Sequence, residues 1–457
     1  MPEFFLIALC AGLATFVVSA ANEVGRGEEG LNRRKRQVYK DTYATQSGTN
    51  SVKYIFDSSV NETMRKMFAE ATGHWQNGTC LSFEEIPLEK KTQGENVTLL
   101  QYIKYYYQLA IKSRHVNRSS NFAEFEGMLV TMADDGYGYC NTAGTGRKHI
   151  IYLGQSCETV SGIVHEIGHA LGLPHAQNRR DRDSYISIDY DNLRKEFDEL
   201  YSDSDYETDP SEDDPPKLTF DEYRQQFAMM SEAESVNYSV PYDLGGIMQH
   251  AAYPAMMPRD PNYHRTMGSP FVSFADILLV NAHYNCSDIC RGRTPPKCHN
   301  NGFQDPRNCN KCVCPGGYGG PLCQEKPEGC GIEINAKTSD EWTEIKLETL
   351  NSDNNGKYNI CTSSIKAKTN DTEIHVKLVS ITGGLEERDA AGCVPAGIEI
   401  KTNSDQRLTG YRFCSKDDKN VELNSSLFFV PIITYSNHPA AMSFTLKYRA
   451  VPTNKRN

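Results

Sequence analysis

Residues His165 to His175 read HEIGHALGLPH, and no other stretch constrains this chain as much. His169 follows His165 by four positions, so on an α-helix the two imidazoles lie one above the other on one face. Glu166 sits beside the first of them. Gly172, three residues after His169, can take backbone angles that other residues avoid, which lets the chain leave the helix. The chain can then turn back and bring His175 to the same point. Three neutral imidazole nitrogens and one open position are what a catalytic zinc requires, because the fourth position must hold water. A bare HExxH arises by chance on solvated helix faces, whereas the HExxHxxGxxH spacing is far more restrictive. The expected cofactor is therefore one catalytic Zn2+ on His165, His169 and His175. Zinc brings its bound water toward a pKa near ~7, and Glu166 is placed to take a proton from that water and pass it to a leaving amine. The chemistry implied is hydrolysis of peptide bonds without a covalent intermediate.

The amino-terminal apolar run is short, ends Val18-Ser19-Ala20 and gives way to polar residues. That pattern reads as a secretory signal peptide over 1–20 rather than a membrane anchor. No later segment approaches the ~20 consecutive apolar residues of a spanning helix. Arg33-Arg34-Lys35-Arg36 then reads as a processing site that frees Gln37 and leaves a pro-segment over 21–36. Of 15 cysteines, Cys10 falls in the signal peptide, and the even remainder favours disulfides in an exported chain. Glycosylation sequons begin at Asn61, Asn77, Asn96, Asn117, Asn237, Asn285, Asn370 and Asn424, of which only part are expected to be used. The expected location is extracellular.

The formal charge of −11 is unevenly spread. Between Glu196 and Pro216 stand ten carboxylates and no Lys or Arg. Such a run buries no apolar area and repels itself, so it reads as a solvated acidic insertion at about 196–216. A selector of basic substrates and a weak calcium site are the sharper readings. No basic stripe with interleaved aromatics is present, which argues against a nucleic-acid partner.

The chain is too long for one typical core, and its cysteines fall into three groups. Cys80, Cys140, Cys157 and Cys286 are spread through a region of ordinary globular composition. There, Ser59 to Trp75 reads as an amphipathic helix with Met64, Met67, Phe68, Ala71 and Trp75 on one face and a capping box from Ser59 and Glu62. His149 to Leu153 reads as a buried strand, Ser273 to Tyr284 as a helix, and the aromatic stretch Tyr102 to Tyr107 as sheet packing. Cys290, Cys298, Cys309, Cys312, Cys314 and Cys323 lie within 34 residues, too close for a core between them, so disulfides must stabilise that segment. Cys330, Cys361, Cys393 and Cys414 lie in a strand-rich tail. Alternation over Glu373 to Leu378 and over Ser443 to Tyr448 suggests an antiparallel β-sandwich there.

The wider setting of the motif resembles the astacin family of metzincin zinc proteases. After His175, the residues Arg179, Asp181, Arg182 and Asp183 resemble the family's RxDRD run. Gly154-Gln-Ser-Cys157 ends eight residues before His165, as in astacins. Pro241 to Met248 resembles the Met-turn, whose methionine lies beneath the zinc histidines. Phe274 to Cys286 resembles the closing helix and final cysteine. The likeness runs from about 50 to 286 and implies an α+β, two-lobed catalytic domain with the pairs Cys80–Cys286 and Cys140–Cys157. Cys312-Val-Cys314-Pro-Gly-Gly-Tyr-Gly-Gly-Pro-Leu-Cys323 resembles an EGF-like module, which implies Cys314–Cys323 and leaves the pairing of Cys290, Cys298, Cys309 and Cys312 open. Residues 330 to 450 resemble an all-β CUB sandwich, with Cys330–Cys361 and Cys393–Cys414 expected. The organisation implied is a peptidase domain over 37–287, an EGF-like module over 288–324 and a CUB domain over 330–450. This order is similar to that of many nematode astacins. The partners implied are extracellular protein or peptide substrates, with matrix or protein partners for the two added modules.

Three departures qualify the resemblance. The family follows its methionine with His-Tyr, and that tyrosine is a fifth zinc ligand; here Gln249 and His250 follow Met248. His250 can ligate the metal or donate a hydrogen bond, and the exchange is expected to lower turnover without abolishing it. Ala176 stands where the family has a glutamate that holds the processed amino terminus. Residues 21–36 contain no aspartate and nothing like the family's zinc-blocking motif. The leading expectation is a secreted zinc endopeptidase. Its rival is a catalytically weak or inactive relative that acts through its binding modules.

Overall fold

The computed structural model describes residues 50–86, 126–133, 140–145, 148–154, 159–201, 219–231, 238–352, 357–369, 371–386 and 390–453. The expected signal peptide, pro-segment and basic cluster, the Tyr102 to Tyr107 stretch, Cys157, the sequons at Asn96, Asn117, Asn237 and Asn370, and most of the acidic insertion lie outside them.

The amino-terminal half is built on a five-stranded sheet in the order β2-β1-β3-β5-β4. Its strands are β1 (Ser51–Phe56), β2 (Ser82–Glu85), β3 (Gly127–Met132), β4 (Asn141–Thr145) and β5 (Lys148–Leu153). All neighbours are parallel except β4, which runs antiparallel to β5 along one edge. β3 and β5 are buried along most of their length, as strands covered on both faces should be. Two helices, α1 (Glu62–Gln76) and α2 (Val160–Ala170), pack with the sheet into one core. α1 buries Met64, Phe68, Ala71 and Trp75, spaced three or four residues apart, and Met67 packs against the same core. Its amino-terminal cap is Asn61, whose side chain accepts from Met64 N, so the expected cap from Ser59 and Glu62 is corrected. Ser59 instead accepts from Met132 N at 3.2 Å and ties the loop to β3.

A second, smaller core follows α2. It contains β6 (Ile186–Ile188) paired with β7 (Met256–Pro258), and α3 (Tyr190–Tyr201) against α4 (Phe220–Gln225). Arg179 forks onto Asp181 at 2.8 and 2.9 Å and also reaches the carbonyls of Val240 and Pro241. This buried guanidinium pins the chain leaving the histidines to the chain approaching Met248. α5 (Phe274–His283) closes the region over the expected stretch and starts with a capping box from Ser273 and Asp276. Cys286 beyond it is bonded to Cys80. Cys140 is also disulfide-bonded.

The dense cysteine segment carries one short two-stranded sheet, β8 (Phe303–Gln304) with β9 (Cys312–Val313), and three disulfides. They are Cys290–Cys309, Cys298–Cys312 and Cys314–Cys323, a first-to-third, second-to-fourth, fifth-to-sixth order. The tail is a sandwich of two sheets, β10-β12-β17-β14-β15 and β11-β18-β13-β16. These strands are β10 (Glu333–Ala336), β11 (Ser339–Glu348), β12 (Asn359–Ala367), β13 (Thr372–Thr382), β14 (Ala396–Ile400), β15 (Tyr411–Phe413), β16 (Val421–Ser425), β17 (Phe429–Ser436) and β18 (Ser443–Pro452). Every pairing is antiparallel except β10 with β12, a parallel edge that strand alternation does not reveal. Cys330–Cys361 and Cys393–Cys414 staple the sandwich.

The sandwich is docked on the peptidase half. Thr409 donates its backbone N–H and its hydroxyl to the buried Asp243 carboxylate at 3.1 and 2.9 Å. Arg412 donates to Ser269 at 2.6 Å, Tyr411 to Asp260 at 2.8 Å, and Arg265 pairs with Asp418 at 3.3 Å. Phe271 packs edge-on to Tyr358 and Tyr435.

Candidate metal centre

α2 starts at Thr159, whose hydroxyl accepts from Gly162 N, and presents His165 and His169 one turn apart. It ends at Gly172, whose φ of +94° is the left-handed conformation that favours glycine. Gly172 N–H donates to His169 O at 2.8 Å and Leu173 N–H to Gly168 O at 3.0 Å. This pair of bonds is the Schellman arrangement, and it reverses the chain so that His175 returns to the two helix imidazoles. His175 Nε2 lies 3.2 Å from His165 Nε2 and 3.0 Å from His169 Nε2.

The loop before α5 supplies the opposite wall. Met248 packs so close beneath α2 that a Cβ on Gly168 would sit 2.6 Å from its sulfur and 3.0 Å from Trp75. Ile247 O accepts from His165 Nδ1 at 2.8 Å, and Ile247 N–H is held by Asp276 Oδ2 at 3.0 Å. Leu173 O accepts from His169 Nδ1 at 2.8 Å. A carbonyl can only accept, so His165 and His169 carry their protons on Nδ1 and turn bare Nε2 lone pairs toward His175. His250 Nε2 joins the same cluster, 3.3 Å from His165 Nε2.

His175 has at most one proton on Nε2 and cannot satisfy two facing lone pairs. A cation at the common point does. Zinc–nitrogen bonds of about 2.0–2.1 Å place tetrahedral ligands roughly 3.3–3.4 Å apart, close to the separations seen. All four imidazoles are held well on the neutral side: burial lowers each pKa, and the neighbouring rings lower those of His169, His175 and His250 further, His169 to about 3. Neutral imidazole is the form that ligates. The donor set therefore suits zinc.

Glu166 is buried on the sheet side of α2. Burial pushes its carboxyl up to about 7, and the hydroxyl of Thr142 on edge strand β4, 2.8 Å from Oε2, opposes that rise. A carboxyl near 7 both takes and gives a proton at neutral pH.

The structure thus brings His165, Glu166, His169, His175, Met248 and His250 together. Sequence reasoning missed Thr142, Ile247 O, Leu173 O and Asp276. Two of these are backbone carbonyls and leave no mark in residue type. Asp276 lies at the start of a helix far along the chain, and its carboxylate both caps that helix and fastens the loop under the histidines.

Three imidazoles gathered by a helix and its glycine stop, with a buried carboxyl beside them, form a site whose chemistry suits a hydrolytic zinc. A family model described as Astacin, a peptidase family, matches residues 110–213 and 217–285. Zinc metalloproteinase nas-31 of Caenorhabditis elegans is 34% identical over 92% of this chain and 59% of its own length. Zinc metalloproteinase nas-25 of the same nematode is 28% identical over 92% of each. The chain thus spans rather over half the length of the first relative and nearly all of the second. Among solved structures, the hatching-enzyme zinc protease high choriolytic enzyme 1 of the medaka Oryzias latipes aligns over 55% of this chain and 99% of that one, at 19% identity and a TM-score of 0.34. Over these residues the chain is similar to the astacin family of zinc metallopeptidases. No helix among the described residues is long and apolar enough to cross a membrane.

Proposed function

We propose that this chain is a secreted zinc-dependent endopeptidase that hydrolyses peptide bonds of extracellular proteins. The observation that carries the reading is the pair of bare Nε2 lone pairs on His165 and His169, converging with His175 next to the raised carboxyl of Glu166. When bound, zinc supplies Lewis acidity, which lowers the pKa of water and polarises a carbonyl. Glu166 takes the proton of the attacking water and returns it to the leaving amine. Thr142 keeps the Glu166 carboxyl directed while it does so. Ile247 and Leu173 fix the tautomers of two ligating imidazoles, and Met248 supports them from below.

In this reading residues 37–287 form the peptidase domain and 288–324 an EGF-like module, the latter supported by the interleaved order of its three disulfides. Residues 330–450 form a CUB domain, supported by the two-sheet sandwich. Export directed by residues 1–20, with release at the basic cluster, agrees with the disulfide content. The test is zinc content together with cleavage of a denatured general protein substrate, for the wild type and Glu166→Gln. Zinc bound without Glu166-dependent cleavage overturns the enzyme reading. That outcome favours the second one, a binding protein on a zinc scaffold, for which the position of His250 among the ligands is the specific support.

A further inference from the structure

We infer that Thr409, from the carboxy-terminal sandwich, is a positioning residue of the peptidase centre and acts through Asp243 on the carbonyl that orients His165. The sandwich is then a working part of the catalytic machinery, beyond any role in holding partners. The inference rests on the functional reading above and adds a dependence of the centre on a module distant in sequence.

The contacts run without a break. Thr409 donates its hydroxyl to Asp243 Oδ2 and its backbone N–H to Oδ1, and Oδ1 also accepts from Gly245 N–H at 3.1 Å. One buried carboxylate therefore holds both the sandwich and the turn that follows it in the chain. Gly245 and Gly246 make that turn, and each faces a clamp. A Cβ on Gly245 would stand 2.5 Å from Thr409 Cβ, and one on Gly246 3.0 Å from both carboxylate oxygens of Asp276. Ile247 comes next: its N–H goes to Asp276, and its carbonyl accepts from His165 Nδ1.

Thr409 is itself fixed. The Tyr263 hydroxyl donates to its carbonyl at 3.0 Å, and Gly410 N–H donates to Glu399 at 2.9 Å. Thr409 and Asp243 are 7% and 6% exposed, so bulk water does not replace a lost donor. Removing the hydroxyl leaves Asp243 Oδ2 short of a partner away from solvent, and the carboxylate recovers by moving. Gly245 N–H moves with it, Ile247 O shifts two residues on, and the bond that sets the tautomer and bearing of His165 weakens. The bond from Tyr411 to Asp260 crosses the same seam but ends on the segment after β7, which makes it the control.

In the full chain, Thr409→Val should weaken zinc binding about tenfold, read by chelator competition, and lower kcat on a denatured general protein substrate by about as much. Thr409→Ser restores the donor and should recover both to within about twofold. Tyr411→Phe should change neither. In the metal-free protein, isotope-labelled at histidine, the Nδ1–H resonance of His165 should be lost to exchange in Thr409→Val and kept in Tyr411→Phe. Wild-type zinc affinity and turnover in Thr409→Val overturn the inference and leave the proposed function intact. Equal losses in Thr409→Val and Tyr411→Phe also overturn it, because the seam as a whole is then responsible. So does a Thr409→Ser protein that recovers neither property. If Thr409→Val fails to fold, Thr409→Ala, which sets no methyl against the carboxylate, decides by the same readings. A wild-type chain that holds zinc but cleaves nothing overturns the functional reading, and the zinc and histidine measurements still judge the inference.

Discussion

Gly168 lies in the interior of α2, the helix that carries His165 and His169, where glycine costs about 1 kcal/mol relative to alanine. On propensity alone Gly168→Ala should stabilise the protein by that amount. The structure reverses the sign. An added Cβ would stand 2.6 Å from the Met248 sulfur and 3.0 Å from Trp75 Cζ2. Comfortable contacts between such atoms lie near ~3.5–4.0 Å, so each is short by about half an ångström or more. The thioether can move aside, but the indole cannot: Trp75 is fully buried and its N–H is bound to Val164 O at 2.9 Å. Overpacking of this kind costs about 1–3 kcal/mol, which offsets the propensity gain and leaves a net loss of up to about 2 kcal/mol. Moving Met248 also disturbs Ile247 O, which orients His165, so zinc affinity should fall. Urea unfolding of the metal-free protein and competitive zinc titration measure the two effects. Met248→Ala should cost less in the Gly168→Ala background than in the wild type, with a coupling of about 1 kcal/mol. A Gly168→Ala protein as stable as the wild type, with unchanged zinc affinity, would refute the reasoning.

Other outcomes follow from single contacts. Thr142→Val removes the hydroxyl that directs Glu166 and should lower kcat about tenfold with zinc content unchanged; a matching loss of zinc would mean that Thr142 supports the fold instead. Asp276 is raised to about 6 by burial, so the folded state binds its proton more tightly than the unfolded chain does. Its contribution is fully present below pH ~4 and declines to pH ~6, by about 3 kcal/mol in all. Asn at this position keeps the acceptor but does not titrate. The stability of the wild type relative to Asp276→Asn should therefore fall over that window, and parallel pH curves from urea unfolding would contradict the assignment. Thr409→Val strips the hydroxyl donor from a buried carboxylate oxygen of Asp243 and should cost about 1–3 kcal/mol, read as a lower thermal midpoint. An unchanged midpoint would show that the seam between the two halves does not contribute to stability.

The histidine spacing and Gly172 were legible because their geometry is local: a helical turn and a left-handed glycine follow from residue types a few positions apart. The helix α5 was legible for the same reason. The cap of α1 was misjudged because Ser59 and Asn61 are both good caps, and only the packing of Ser59 on β3 decides between them. The ligand orienters were invisible because carbonyls belong to every residue. The parallel edge of β10 and the contact between Asp243 and Thr409 depend on segments distant in sequence, whose meeting no local pattern encodes.

The seam between the sandwich and the peptidase half bears on where such an enzyme could cut. Asp243, which Thr409 grips, lies five residues before Met248, so the outer module and the floor of the catalytic centre belong to one continuous solid. A module on a slack tether would let the cleft sweep a volume around its attachment point. One fixed to the cleft acts as a ruler: attachment sets the distance and bearing at which the blade falls. On an ordered, repeating substrate the cuts would then recur at a constant offset from the attachment points, with the local sequence selecting only among the bonds that lie within reach.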